Sequence, residues 1–308
     1  MGTPERSVGA TAEHSTASRV VSDAAARLRA AGSPTPHLDA ELLVGHALGR
    51  DRAWLHAHPE FVVDSSSMSV VAGWVDRRAA GEPVAYIRGF KDWFSMRIAT
   101  DHRALIPRPE TELLAESAIS EIAARLVRDN ASVTAWEVAT GSGAVSLALA
   151  VRFRAALMLG RLRLVASDVS AEALELASEN LASRGMAHLV TLACGDLLEP
   201  ALAPDGGTDL LIANLPYVAS GEVEAGRGSM AWEPRGALDG GADGLDLLRR
   251  LITALPDTLA PHGVALLEVG SGQAEAVRQA ATSVRLRTVV TTLRDLAGVE
   301  RVVRIARI

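Results

Sequence analysis

The chain of 308 residues is 48% hydrophobic and 22% charged, a globular composition long enough for one large domain or two smaller ones, which excludes a disordered or fibrous protein. Its 31 basic and 37 acidic side chains leave a formal net charge of -6, which argues against a general nucleic-acid coat or an anionic-membrane binder. A lone cysteine, Cys194, excludes an intramolecular disulfide and a Cys-rich zinc site, and fits a reducing cytoplasm.

Residues 1–18 are poor in large apolar side chains and lack the basic start and apolar run of a signal peptide, so they read as a disordered tail. No later stretch reaches the ~18 uninterrupted apolar residues of a membrane span. From Arg19 the period is helical: Val20-Val21, Ala24 and Leu28 share one face, and Leu38, Leu42-Leu43 and Ala47-Leu48 another. Pro34, Pro36 and Gly49 punctuate these runs, predicting a helical domain over 19–83. Tyr86, Ile87, Phe90, Trp93 and Ile98 then predict a β-hairpin linker over 84–100.

A helix is predicted from about Glu110 to Arg128, and strand and helix signals alternate after it. The strands are 132–138, 163–167, 189–193, 209–213, 264–269, 285–291 and 301–305, with helices over 144–152, 171–183, 245–259 and 273–282. Strands apolar on both faces and separated by helices predict a doubly wound parallel sheet. The last two, with no helix between them, predict an antiparallel closing hairpin.

Chemistry collects at the strand ends. Glu137-Val138-Ala139-Thr140-Gly141-Ser142-Gly143 joins the first strand of this sheet to a helix, and small residues there let a ligand approach the backbone and the helix N-terminus. Ser146 stands where a dinucleotide fingerprint needs its third glycine, and Lys91, the single lysine, lies far from any P-loop pattern. Asp168 ends the second strand, where a carboxylate can accept both ribose hydroxyls, with helix N-capping as its bland alternative. Asp196-Leu197 follows the third strand, where an adenine can be held, and Asn214-Leu215-Pro216-Tyr217 follows the fourth. Open α/β sheets bind ligands along this carboxyl edge.

This ordered set resembles the class I S-adenosylmethionine-dependent methyltransferases of planar amino groups, and within them the HemK/PrmC family. Gly81-Glu82-Pro83, Leu105-Ile106-Pro107-Arg108-Pro109-Glu110-Thr111-Glu112, Glu233-Pro234-Arg235-Gly236-Ala237-Leu238, Leu267-Glu268-Val269-Gly270 with Gln273, and Arg294-Asp295-Leu296-Ala297-Gly298 carry the narrower likeness from about Arg19 to Ile308. The resemblance implies a Rossmann-like seven-stranded, mostly parallel sheet with an antiparallel closing strand over 101–308. It makes the helical domain a substrate-recognition unit. It implies a cytoplasmic, monomeric enzyme, without metal, nucleic acid or membrane, that methylates the side-chain amide N(5) of the glutamine in the GGQ loop of class 1 peptide chain release factors. S-adenosylmethionine, leaving as S-adenosylhomocysteine, would lie against Glu137, Ala139, Thr140, Gly141, Ser142, Gly143, Asp168, Asp196, Leu197 and Asn214. Asn214, Leu215, Pro216 and Tyr217 would hold the substrate amide, with Asn214, Pro216 and Tyr217 catalytic.

Three residues depart from the family pattern: Leu215 replaces the first proline of Asn-Pro-Pro-Tyr, Ala139 a glycine, and Glu137 an aspartate. Asn-Leu-Pro-Tyr as written also resembles methyltransferases of adenine N(6) in RNA, against which the acidic balance and the N-terminal helical unit count. A non-catalytic binding module on the same fold is the other alternative. His46, His56 and His58 read as surface or packing residues, Arg77-Arg78 and Arg249-Arg250 as solvated helix faces, and Cys194 as a packed strand residue. The near-exclusive use of arginine over lysine reads as codon bias.

Overall fold

A computed structural model describes residues 15–128, 132–199, 207–226 and 228–308, and the chain divides into two compact units between Arg88 and Gly89. The first unit holds α1 (Ala17–Ala30), α2 (Pro36–Ala47), α3 (Arg52–Ala57), α4 (Ser65–Ala79) and α5 (Val84–Arg88). Most of the expected tail lies outside the described residues. Its end is ordered, however: Thr16 bridges to Val62, and Ala17 is buried at the start of α1. Asp51 caps α3 by accepting from Trp54 N at 2.7 Å, and Asp64 caps α4 by accepting from Ser66 N and Ser67 N at 2.9 Å each. The apolar stripes of α1, α2 and α4 meet around Leu28, Leu43, Val44 and Val75.

Val84–Arg88 is helical, not the first arm of a hairpin. Pro83 O accepts from Tyr86 N and Ile87 N, and Gly89 ends the turn at φ 76°. Burial of Ile87 in the helical core outweighs its β preference. Arg78 is likewise not solvated. Its Nε donates to Asp39 Oδ2 at 2.8 Å, and Asp39, 5% exposed, also accepts from Ser33 Oγ and Thr35 Oγ1. His46 stacks on Trp74 and His58 on Trp54, while His56 Nε2 lies 3.0 Å from Glu41.

The second unit opens with a hairpin, β1 (Phe90–Trp93) and β2 (Met96–Ala99), and α6 (Thr111–Arg128). The sheet then follows: β3 (Val133–Val138), α7 (Ala144–Arg152), α8 (Arg154–Met158), β4 (Leu162–Asp168), α9 (Ala171–Ser183), β5 (Val190–Cys194), β6 (Thr208–Ala213), α10 (Ser220–Glu224), α11 (Asp246–Thr258), β7 (Leu259–Glu268), α12 (Ala274–Ser283), β8 (Thr288–Arg294) and β9 (Glu300–Arg307). Strand order is β5-β4-β3-β6-β7-β9-β8, parallel from β5 to β7, with β9 antiparallel to both neighbours. Among the described residues no helix is long and apolar enough to cross a membrane.

Period-two alternation explains why these strands are apolar throughout. Val133 and Ala135 pack with α6 and α7 on one face, while Trp136 and Val138 pack with α11 and α12 on the other. Two strands start three residues or more away from the sequence pattern. β7 starts at Leu259 because Thr208 pairs with Leu259 before a bulge restores Leu210 to Val264. β8 sits three residues later than its pattern, because β9, its one sheet neighbour among the described residues, sets the register of this edge strand. The chain runs outward through β3, β4 and β5 and returns to β6 on the other side of β3, so the loops after β3 and β6 diverge and open a crevice at their carboxyl ends.

The Asp39–Arg78 pair gives a stability test for the helical unit. Asp39→Ala leaves a guanidinium only 12% exposed without its carboxylate. It should cost about 3 kcal/mol in chemical denaturation followed by Trp54 and Trp74 fluorescence.

Candidate functional site

The β3–α7 loop is built on a buried acid. Glu137 is 4% exposed, and its Oε2 accepts from Thr140 Oγ1 at 2.8 Å, from Ser146 N at 2.9 Å and from Ser146 Oγ. Both ends of the loop are thereby tied to the strand it leaves. Burial pushes the Glu137 carboxyl up to about 7, against the pull of these hydrogen bonds. Asp168 fixes the middle of the loop: Oδ2 accepts from Gly141 N at 2.8 Å and Oδ1 from Ser170 N at 2.9 Å. Ser170, not Asp168, caps α9, by accepting from Ala173 N. Gly143 starts α7 at φ 75°, where a Cβ would come within 2.9 Å of Ala177 Cβ, so glycine here admits close helix packing as well as the left-handed backbone.

Most of the expected residues converge on one cavity of about 330 Å³, a size suited to a small ligand. Glu137, Ala139, Thr140, Gly141 and Ser142 line it from β3 and its loop, Asp168 from β4, and Asp196 and Leu197 from the loop after β5. Asn214, Leu215 and Pro216 close it from β6. Gly143 and Tyr217 stand outside the lining. Tyr217 turns its hydroxyl to Glu268, 3.5 Å from Oε1, and burial followed by the Glu268 charge pushes the phenol up to about 12. The cavity's volume and lining suit a nucleoside-sized ligand: the Asp168 and Asp196 carboxylates can accept from hydroxyls and amines, and the loop admits close backbone contact.

Several residues that position the site carry no role in the sequence reading. Asn180 is 1% exposed; it donates to Ser142 O at 2.9 Å and to Ala99 O at 3.1 Å and accepts from Ala99 N at 2.7 Å, joining loop and hairpin. Its signal is a polar residue on the apolar face of α9, in step with Ala173, Leu176 and Ala177. Glu233 accepts from Ile106 N at 3.0 Å and from Arg108 Nη2 at 2.6 Å, with its side chain fully buried. Thr111, at the start of α6, accepts from Asn214 Nδ2 at 3.2 Å. Arg250 is not a free surface charge but donates to Asp196 Oδ2 at 2.6 Å, and Arg249 pairs with Asp243. Cys194 is exposed on the edge strand β5 rather than packed.

A family model described as the PrmC N-terminal domain matches residues 19–89. Proteins named release factor glutamine methyltransferase from Bordetella pertussis and Moorella thermoacetica are 38% and 35% identical, over 87% and 92% of this chain and 93% and 95% of theirs. The chain belongs to the release factor glutamine methyltransferase family. Among solved structures, the hMettl16 catalytic domain in complex with the MAT2A 3′UTR hairpin 6 matches 75% of this chain and 81% of that one at a TM-score of 0.52 and 13% identity, a likeness of fold.

The three departures from the family pattern acquire physical meaning here. Leu215 is buried in the apolar core of α11 and α12, so the side chain replacing proline is used in packing. Glu137 uses its extra methylene to reach both Thr140 and Ser146. Ala139 sits at φ 57°, a left-handed conformation that disfavours any residue with a Cβ. Ala139→Gly is therefore expected to raise stability by about 1 kcal/mol in urea unfolding.

Glu137 adds a pH test. Its folded-state value of about 7 lies above the ordinary 4.5, so the native state holds the extra proton between these values and this group's contribution is lost as pH rises through that window. In Glu137→Gln, which keeps an acceptor oxygen, the fall in unfolding free energy from about pH 5 to pH 7 should be smaller than in the wild type. An unchanged pH slope would count against a raised Glu137.

Proposed function

We propose that this protein transfers a methyl group from S-adenosylmethionine to the side-chain amide N(5) of the glutamine in the GGQ loop of class 1 peptide chain release factors. The observation that carries the reading is the position of Asn214 and Pro216 at the wall of the nucleoside-sized cavity, in a chain of this family. The ribose would lie at Asp168, the adenine between Asp196 and Leu197, and the amino-acid end against the loop from Ala139 to Ser142. When bound, S-adenosylmethionine supplies an electrophilic methyl on a sulfonium sulfur.

The chain's own residues supply orientation. A carboxamide nitrogen is a poor nucleophile because its lone pair is delocalised into the carbonyl, so the site must hold the NH2 in line with the methyl. Asn214 Oδ1 and a main-chain carbonyl of the tetrapeptide would accept the two amide hydrogens and favour positive charge developing on nitrogen. Pro216 restricts Leu215 to extended conformations and so directs that carbonyl. Tyr217 would brace the tetrapeptide from outside the cavity. The helical unit would grip the protein substrate, and the enzyme would act as a cytoplasmic monomer without nucleic acid or metal.

Incubation with S-adenosylmethionine and a release factor carrying GGQ should add one methyl to that glutamine by mass spectrometry. Asn214→Ala should lower turnover about a hundredfold while cofactor affinity stays near wild type. Methylation of an RNA adenine, with the glutamine untouched, would replace this reading with the RNA alternative.

A further inference from the structure

Acids line the cavity, Asp168 and Asp196 among them, and its cations among the described residues are Arg103 and Arg108. Arg103 is saturated. Its Nε donates to Asp101 Oδ1 at 3.0 Å, and Nη1 and Nη2 donate to the two oxygens of Glu179 at 2.8 Å each. Arg108 is held differently. Its Nη2 donates to Glu233 Oε1 at 2.6 Å, and among the described residues Nε and Nη1 donate to nothing. A guanidinium offers its N–H groups as a planar fork, so this one can still take a carboxylate.

Local sequence and one distant acid set the position of this guanidinium. Arg108 stands between Pro107 and Pro109, and a following proline restricts it to extended conformations. Its carbonyl accepts from Trp93 Nε1 at 2.8 Å and from Thr111 N at 3.2 Å, which pins the backbone. Glu233, with its side chain fully buried, pins the other end: Oε1 accepts from Arg108 and Oε2 from Ile106 N at 3.0 Å. The same acid joins two walls, since Pro107 and Arg108 line the cavity from one segment and Pro234 and Ala237 from the other. A buried ion pair adds little net stability over an apolar pair of equal volume. What Glu233 contributes is therefore the placement of Arg108.

We infer that Arg108, held by Glu233, binds the carboxylate at the amino-acid end of S-adenosylmethionine. This rests on the cofactor reading above and assigns a group that reading leaves without a partner. The molecule carries hydroxyls, an adenine amine, an ammonium and a sulfonium, which suit acidic walls, and a single carboxylate, which needs a cation with N–H groups to give. With Arg103 saturated, Arg108 is the side chain of the wall that meets this need. It also selects between ligands, because a nucleoside without the carboxylate gives the Arg108 fork no charged acceptor.

Calorimetric titration of the full-length protein with S-adenosylhomocysteine and with its decarboxylated analogue, which keeps the amine, tests the assignment. Wild type should bind S-adenosylhomocysteine about thirtyfold more tightly than the analogue. Arg108→Met is made together with Glu233→Gln, so that no carboxylate is buried without its cation, and Glu233→Gln alone is the reference. Against that reference the double variant should lose about thirtyfold in affinity for S-adenosylhomocysteine and stay within about twofold for the analogue. Arg108→Lys keeps a cation beside Glu233 but loses the fork, and should bind S-adenosylhomocysteine about fivefold more weakly with the analogue unchanged; it decides the matter if the double variant does not fold. Equal affinity of wild type for the two ligands overturns the assignment, as does an unchanged affinity for S-adenosylhomocysteine in the variants or an equal loss of both ligands in a folded variant. A wild type that binds neither ligand overturns the cofactor reading, and the role of Arg108 falls with it.

Discussion

A carboxylate taken out of water at the edge of a sheet must find N–H and O–H donors, and in this molecule the donors are the segments that wall the cavity. Glu137 holds Thr140 and Ser146, Asp168 holds Gly141 and the start of α9, and Glu233 holds Ile106 and Arg108. Glu268 accepts from the Tyr217 hydroxyl at 3.5 Å. Each acid costs desolvation energy, seen in the upward shifts of Glu137, Asp168 and Glu268. The return is rigidity where a ligand and a weak nucleophile must be aligned, since main-chain turns tied to buried charge have few alternative conformations.

The sheet decides where these acids can work together. Order reversal between β3 and β6 parts two loops at neighbouring carboxyl ends, so the glycine-rich loop and the Asn214 tetrapeptide face one crevice although 70 residues of chain separate Asn214 from Ala144. The hairpin of β1 and β2 belongs to this unit and not to a linker: Asn180 ties Ala99 to Ser142, and Trp93 Nε1 donates to Arg108 O at 2.8 Å. The helical unit rests on its own core and on the buried Asp39–Arg78 pair.

Much of this was legible in the sequence because parallel strands buried on both faces leave near-continuous apolar runs ended by polar residues, as at Val133–Val138 and Thr208–Ala213. The cavity wall followed, since ligand contacts cluster at those ends. What stayed hidden was set by pairing between distant segments. Val84–Arg88 carries β-favouring residues but turns helical to bury Ile87. Arg78 and Arg250 look like surface charges until Asp39 and Asp196 arrive from elsewhere in the chain. Glu268 left a trace, a lone acid in the apolar run Val264 to Val269, but its partner Tyr217 comes from another element and no local pattern names it.

The central claim is that the crevice above β3 and β6 holds the methyl donor with Asn214 Oδ1 directed at the acceptor amide. A crystal structure with S-adenosylhomocysteine and a glutamine-bearing GGQ peptide tests it most directly. The account predicts the ribose on Asp168, the adenine beside Leu197, Asn214 Nδ2 still on Thr111, and the glutamine NH2 on Asn214 Oδ1. A nucleoside bound elsewhere, or a glutamine amide that avoids Asn214, would contradict it.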